Sequence, residues 1–276
     1  MDAQDFLFDL KESWVSTERM ALPLEERRFY EYLQFDQSAH FPKAGDSYVR
    51  IEPSEIQGLP SPEEFFNGTE PNWTDIKHQV PPKREQYWNV LDSLLDELSD
   101  PSAPSSAYLV TGAAGTGKTT LLRSLAFDLA NEFSTNCQLF VHIPSTPLEI
   151  APILASTTTG LTQRPIVLIR HAGEYVTEIE RLIAESKRSQ IPITLLLEER
   201  KNQWDAATNF ARVSLRAVEF ELGSLTSIEI ENILDALTLH NCLGQLTDTP
   251  RHYQMQHFES LAHKELLVVC HASIAG

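Results

Sequence analysis

Residues 112–120 read GAAGTGKTT, between the apolar run AYLV and the helical pattern LLRSLAFDLANEF. The spacing Gly112-x-x-x-x-Gly117-Lys118-Thr119 is that of a loop built to wrap phosphate. Such a loop needs glycine because inward-turned backbone N–H groups must approach phosphate oxygens with no Cβ in the way. Ala113, Ala114, Gly115 and Thr116 fill its turn, and Thr120 follows it into the helix. That helix adds the positive end of its dipole. Lys118 is expected to reach the β- and γ-phosphates and the Thr119 hydroxyl to ligate Mg²⁺. Residues 112–120 are therefore the candidate nucleotide contacts, and Thr119 is the candidate metal ligand.

A site of this kind ordinarily takes an acid from the end of a later strand, which holds the Mg²⁺ shell and polarises water. The strand in the expected place is PIVLI, residues 165–169, and it is followed by Arg170 and His171. A guanidinium can meet phosphate charge, but it has no lone pair to give a metal. The carboxylates nearby are Glu174, which either reaches back as the catalytic acid or lies on the surface, and Glu198-Glu199 after ITLLL. Arg200 closes that strand. At the carboxyl edge of a parallel sheet it is placed to sense a γ-phosphate, or else it simply opens the next helix. Arg84, in the stretch KRE about thirty residues before the loop, either contacts the adenine side or decorates a helix start. These patterns support nucleotide binding more strongly than hydrolysis.

The elements that must hold these residues follow from periodicity. In KREQYWNVLDSLLDELSD (83–100), apolar residues recur at three- and four-residue spacing, which predicts a helix. PSAPSS breaks it. Short apolar strands at 107–111, 137–143, 165–169, 193–197 and 217–222 then alternate with helices at 118–133 and 176–189, a pattern that implies a parallel sheet covered on both faces. TSIEIENILDALTLH and FESLAHKELLVVCHA read as purely helical. Residues 1–80 are rich in proline and aromatics with one convincing helix, LEERRFYEYLQF (24–35), and their aromatics argue against free disorder. The expected organisation is a connector region over 1–80, a phosphate-loop nucleotide-binding domain over 81–222 and a helical lid over 223–276.

Composition narrows the function classes. The 276 residues are 42% hydrophobic and carry a net charge of −17. Residues 1–100 contribute −12 of it and the remainder −5. Nucleic-acid backbones reward clustered Lys and Arg, so this balance disfavours them as partners. No apolar run approaches the roughly 18–20 residues of a membrane span. The acidic N-terminus is not a secretory signal. Three cysteines (Cys137, Cys242, Cys270) lack metal-ligand spacing and read as reduced and structural, pointing to the cytoplasm. No guanine-reading N-K-x-D motif stands out, which favours ATP.

Taken in order, PPKREQYWNVLDSLLDEL, the phosphate loop, PIVLIRHAGEY, LLLEERKNQW, FELGSLTSIEIENILDAL and FESLAHKELLVVCHASIAG resemble the STAND NTPases, signal-transduction relatives of AAA+ ATPases. The likeness runs from about residue 60 to the end and includes FFNGTEPNWTDI (65–76) as the connector. It is strongest to the bacterial antiviral-defence branch, often fused to sirtuin-like or nuclease effectors. The resemblance implies an α/β phosphate-loop NTPase with a three-layer parallel sheet and a small helical lid over 225–239 and 258–272. It implies ATP and Mg²⁺ as ligands, Arg84-Glu85 as the helix start near the base, and Arg200 as the arginine ending the sensor strand. It also implies self-association in the ATP-bound state, with sensor or effector domains on other chains. Arg170-His171 depart from the family's acids, which puts turnover in doubt. Two functions fit: a nucleotide-gated switch controlling self-association, or a nucleotide-ordered structural adaptor that hydrolyses nothing.

Overall fold

The alternating apolar runs become a mostly parallel sheet in the computed structural model, which describes residues 43–100, 102–132, 137–157, 164–213 and 215–260. Its strands are β1 (Lys43–Ala44), β2 (Tyr48–Ile51), β3 (Ser106–Gly112), β4 (Cys137–His142), β5 (Arg164–Ile169), β6 (Thr194–Glu199) and β7 (Val218–Leu222). They lie side by side in the order β1-β2-β4-β5-β6-β3-β7. The five strands from β4 to β7 run parallel. β1 and β2 extend the β4 edge antiparallel. Every residue of β4, β5 and β6 is buried, as expected where helices cover both faces.

Two helical layers supply that cover. On one face, α3 (Glu85–Leu98) and α4 (Lys118–Glu132) pack Tyr87, Val90, Leu94, Leu122 and Leu125 against Val110, Ile166, Leu168 and Leu196. On the other, α5 (Ala151–Thr157), α6 (Val176–Ser189) and α7 (Lys201–Ala211) cover Leu109, Val167, Ile169, Leu195 and Leu197. Alternate residues of each strand therefore serve opposite layers, the two-residue period of a pleated strand. This three-layer sheet is the fold class that the sequence implies.

A third cluster stands apart from the sheet. Ile230, Ile233, Leu234 and Leu237 of α8 (Ser227–Leu239) and Phe258 of α9 (Arg251–Ser260) pack with Phe65 and Phe66 of α1 (Pro62–Phe66) and with Val80. Packing thus crosses the boundaries at 80–81 and 222–223, because the paired phenylalanines of the connector fill the core of the C-terminal helices. A short helix α2 (Trp73–Lys77), capped by Asn72 and Asp75 in a reciprocal box, lies between them. The strand YVRI (β2) was not anticipated, since four residues carry too little periodicity to be separated from a loop. The helix expected over 24–35, the part of the lid beyond residue 260, and Cys270 lie outside the described residues. Cys137 and Cys242 are free and buried. Among the described residues, no helix is long and apolar enough to cross a membrane.

Candidate nucleotide site

β3 runs into the phosphate loop, and α4 leaves it at Lys118. Gly112 has φ +155, and a Cβ there would stand 2.8 Å from the carbonyl oxygen of Leu222 on β7 and 2.9 Å from Thr116 Oγ1. Only glycine lets the loop start this close to the neighbouring strand. Gly115 and Gly117 also have positive φ, +78 and +91. Thr116 is buried, and its hydroxyl donates to the Ala113 carbonyl at 3.0 Å, closing the turn from within. Ala113 and Ala114 lie exposed at the rim, and Thr119 and Thr120 are partly exposed at the start of α4.

Lys118 folds over the loop, its Nζ donating to the carbonyls of Gly112 (3.0 Å) and Ala113 (2.7 Å). Burial lowers its pKa, Glu198 and Glu199 oppose that shift, and Arg200 adds to it. These three side chains therefore share the electrostatic environment of the loop lysine. Arg200 itself is exposed as the N-cap of α7.

The acids are distributed by strand pleating. On β6, Leu196 belongs to the α4 layer and Leu195 and Leu197 to the other, so Glu198 faces α4 and Glu199 faces away. Glu198 Oε1 accepts the Thr119 hydroxyl at 3.0 Å and Arg170 Nε at 3.0 Å. Glu199 Oε2 accepts the Gly173 N–H at 3.0 Å, and its Oε1 accepts the N–H of Arg200 at 2.7 Å. A Cβ at Gly173 would lie 2.9 Å from Glu199 Oε2, so the loop after β5 is seated directly on this carboxylate. His171 enters that loop in the left-handed region, φ 51, an uncommon conformation for a residue with a side chain. Glu174 lies exposed in the 3₁₀ turn Ala172–Tyr175, further along the same loop.

Arg170 occupies the strand end where an acid was sought, and it bridges two carboxylates, Glu198 on β6 and Glu70 in the connector. Arg123 of α4 pairs with Glu70 at 3.1 Å and donates to the Pro71 carbonyl. Burial would raise the Glu70 pKa, but Arg170 and Arg123 outweigh it and hold the carboxyl below its ordinary value. The connector is thereby bound to the floor of the site by charge.

Arg84 is 6% exposed, and each nitrogen of its guanidinium makes a hydrogen bond. Nε pairs with Glu229 of α8 at 2.6 Å, Nη1 donates to the Thr116 carbonyl at 2.7 Å, and Nη2 donates to the Gly223 carbonyl at 3.1 Å. The structure thus places it behind the phosphate loop as a clamp to the C-terminal helices. Arg84 also stands in the wall of a small crevice lined by Phe65, Pro82, Lys83, Gly117, Thr120 and Ser124.

Sequence reasoning named Glu198 only as a nearby carboxylate and did not single it out. Part of the signal was present: in ITLLLEER the two-residue period puts Glu198 and Glu199 on opposite faces of the strand. Missing was the strand order, which sets β6 beside β3 with Val110 opposite Glu198.

The profile of the novel STAND NTPase 5 family matches residues 63–211, more than half of the chain. No curated protein sequence matches. Among solved structures, the Aeropyrum pernix ORC2 protein in its ADP form aligns with a TM-score of 0.51 at 14% identity, over 79% of this chain and 66% of its own. C. elegans PCH-2 aligns with a TM-score of 0.46 at 15% identity, over 79% of this chain and 67% of its own. S. cerevisiae Hsp104 in its casein complex gives 0.44 at 12% identity, over 60% of this chain and 31% of its own. The chain thus spans about a third of Hsp104 and about two thirds of the other two. The ORC2 likeness shows a shared fold. With its profile matched from the connector through α7, across the phosphate loop and the ends of β5 and β6, the chain belongs to the novel STAND NTPase 5 family.

Proposed function

We propose that this chain binds ATP with Mg²⁺ at the phosphate loop and works as a molecular switch, with the bound nucleotide controlling self-association in a defence or signalling protein. Residues 112–120 would hold the phosphates, Lys118 would meet their charge and Thr119 would ligate the metal. Bound Mg²⁺ supplies neutralisation of phosphate charge. The donor set fits such an ion, which keeps several waters and takes few protein ligands. Phosphates and waters would complete its shell.

The observation that carries the switch reading is the Arg84 clamp. One buried guanidinium joins the phosphate loop, the end of β7 and helix α8, and a shift in the loop on binding would be passed to the C-terminal helices. A ligand moves such an equilibrium only through its differential affinity for the two states. A second reading, a nucleotide-ordered adaptor without turnover, is favoured by Arg170 standing at the strand end where an acid is usual. The acidic surface supports a protein partner over nucleic acid, and the cytoplasm is the compartment proposed.

Lys118→Ala tests the site itself. It should abolish ATP binding in calorimetric titration while circular dichroism and melting stay near wild type, because Lys118 bonds only to its own loop. Sedimentation velocity then separates the two readings: growth of the particle with ATP but not ADP supports the switch, and an unchanged particle supports the adaptor.

A further inference from the structure

We propose that Glu198 supplies the carboxylate of the Mg²⁺ shell, so that this acid has moved from the end of β5 to the adjacent strand β6. The inference rests on the nucleotide reading above and deepens it. Three observations carry it. First, β6 lies directly beside β3, with Val110 opposite Glu198, so its carboxyl end abuts the phosphate loop more closely than that of β5. Second, the Thr119 hydroxyl gives its one proton to Glu198 Oε1 at 3.0 Å, which leaves its lone pairs free to bind a cation. Third, Glu198 Oε2 is buried, in a side chain 6% exposed, and has no hydrogen-bond partner.

A carboxylate oxygen without a partner is costly in a protein interior, and native structures keep few of them. Here it belongs to the residue that orients the candidate metal ligand. A water of the Mg²⁺ shell would satisfy it, and the carboxylate would in turn polarise that water. Arg170 makes the arrangement tolerable: its Nε, 3.0 Å from Oε1, compensates a buried negative charge while leaving Oε2 uncovered. The arginine at the usual acid position thus serves as counter-ion to the displaced acid. Glu199 is unsuited to the role, since it faces the opposite layer and both its oxygens accept backbone N–H groups.

The test is the Mg²⁺ dependence of ATP binding, measured by titration calorimetry in Mg²⁺ and in EDTA. Wild type should bind ATP more tightly with Mg²⁺. Glu198→Gln should lose about 10- to 100-fold of that gain, the usual effect of removing an outer-shell partner of a metal, each protein being compared with its own affinity in EDTA. Glu174→Gln should keep the gain. Glu198→Asp retains the charge facing Arg170, and so the fold, but withdraws the carboxylate by one methylene. It should lose part of the gain and recover more of it with Mn²⁺ than with Mg²⁺. The proposal is overturned if either Glu198 variant keeps the full gain, if Glu174→Gln removes it, or if wild type binds ATP equally in Mg²⁺ and EDTA. Wild type failing to bind ATP at all would overturn the nucleotide reading, and this one with it.

Discussion

Arg200 and Lys118 share one electrostatic environment, and that makes Arg200 informative. Its charge bears on Lys118 without a direct bond between them, as expected of two cations set around one anionic ligand. If Arg200 bonds the γ-phosphate, it contacts an oxygen that ADP lacks. Arg200→Ala should then weaken ATP binding more than ADP binding in competition titrations, and equal losses would remove it from nucleotide sensing. A different residue ties the stability of the fold to pH. His142 on β4 is 3% exposed, with Nε2 against the Thr146 carbonyl and hydroxyl, and burial pushes its pKa down to about 4. The unfolded chain takes up this proton near pH 6.5 and the folded one resists until about 4, so stability is full above 6.5 and falls as pH drops through that window. The loss should approach about 3 kcal/mol at the low end. Denaturant titrations at pH 7 and pH 4.5 should show it, with a smaller difference in His142→Gln.

At the scale of elements, Glu229 has the widest reach. Its Oε2 accepts the Thr226 N–H and its own N–H donates to the Thr226 hydroxyl, which completes the cap of α8. Its Oε1 accepts Arg84 Nε and the Glu85 N–H, which fixes the start of α3. One carboxylate therefore fastens two helices, and through Arg84 the phosphate loop. The pair is buried on both sides, 7% and 3% exposed. Removing one partner of such a pair ordinarily costs about 3–5 kcal/mol, because the other charge is left without compensation. Glu229→Ala should lower stability by that order in urea unfolding. At denaturant levels below the main transition, hydrogen exchange should rise first in 227–239, ahead of β3 to β6.

For the molecule as a whole, the question is whether binding leads to turnover. Neither 170 nor 171 carries a carboxylate. Glu199 is occupied by backbone donors, and Glu198 is held between Thr119 and Arg170. At these strand ends the uncovered Glu198 Oε2 is given to the Mg²⁺ shell, and no second acid is left to take the proton of an attacking water. Steady-state phosphate release should therefore fall well below the roughly 1 s⁻¹ at which ordinary enzymes begin. Turnover in the ordinary range, abolished by Glu174→Gln with ATP binding intact, would show that the exposed carboxylate of the 3₁₀ turn reaches the reaction. A slow or absent reaction suits a switch whose state is set by which nucleotide is bound.

The sequence alone determined the phosphate loop, because glycine spacing is a local demand of backbone geometry. It also determined the buried strands and the helices at 85–98 and 176–189, because periodicity records which face is covered. The absence of an acid at 170 was equally legible. Tertiary structure decided what replaces it. Arg84 became a clamp because Glu229, distant in sequence, folds against it, and Arg170 became a counter-ion because Glu70 and Glu198 converge on it from two sides. Glu198 became the acid beside Thr119 through strand order, which puts β6 next to β3 and pairs Val110 with Glu198. Pairing between distant strands depends on how whole layers pack, and a local pattern carries no record of it.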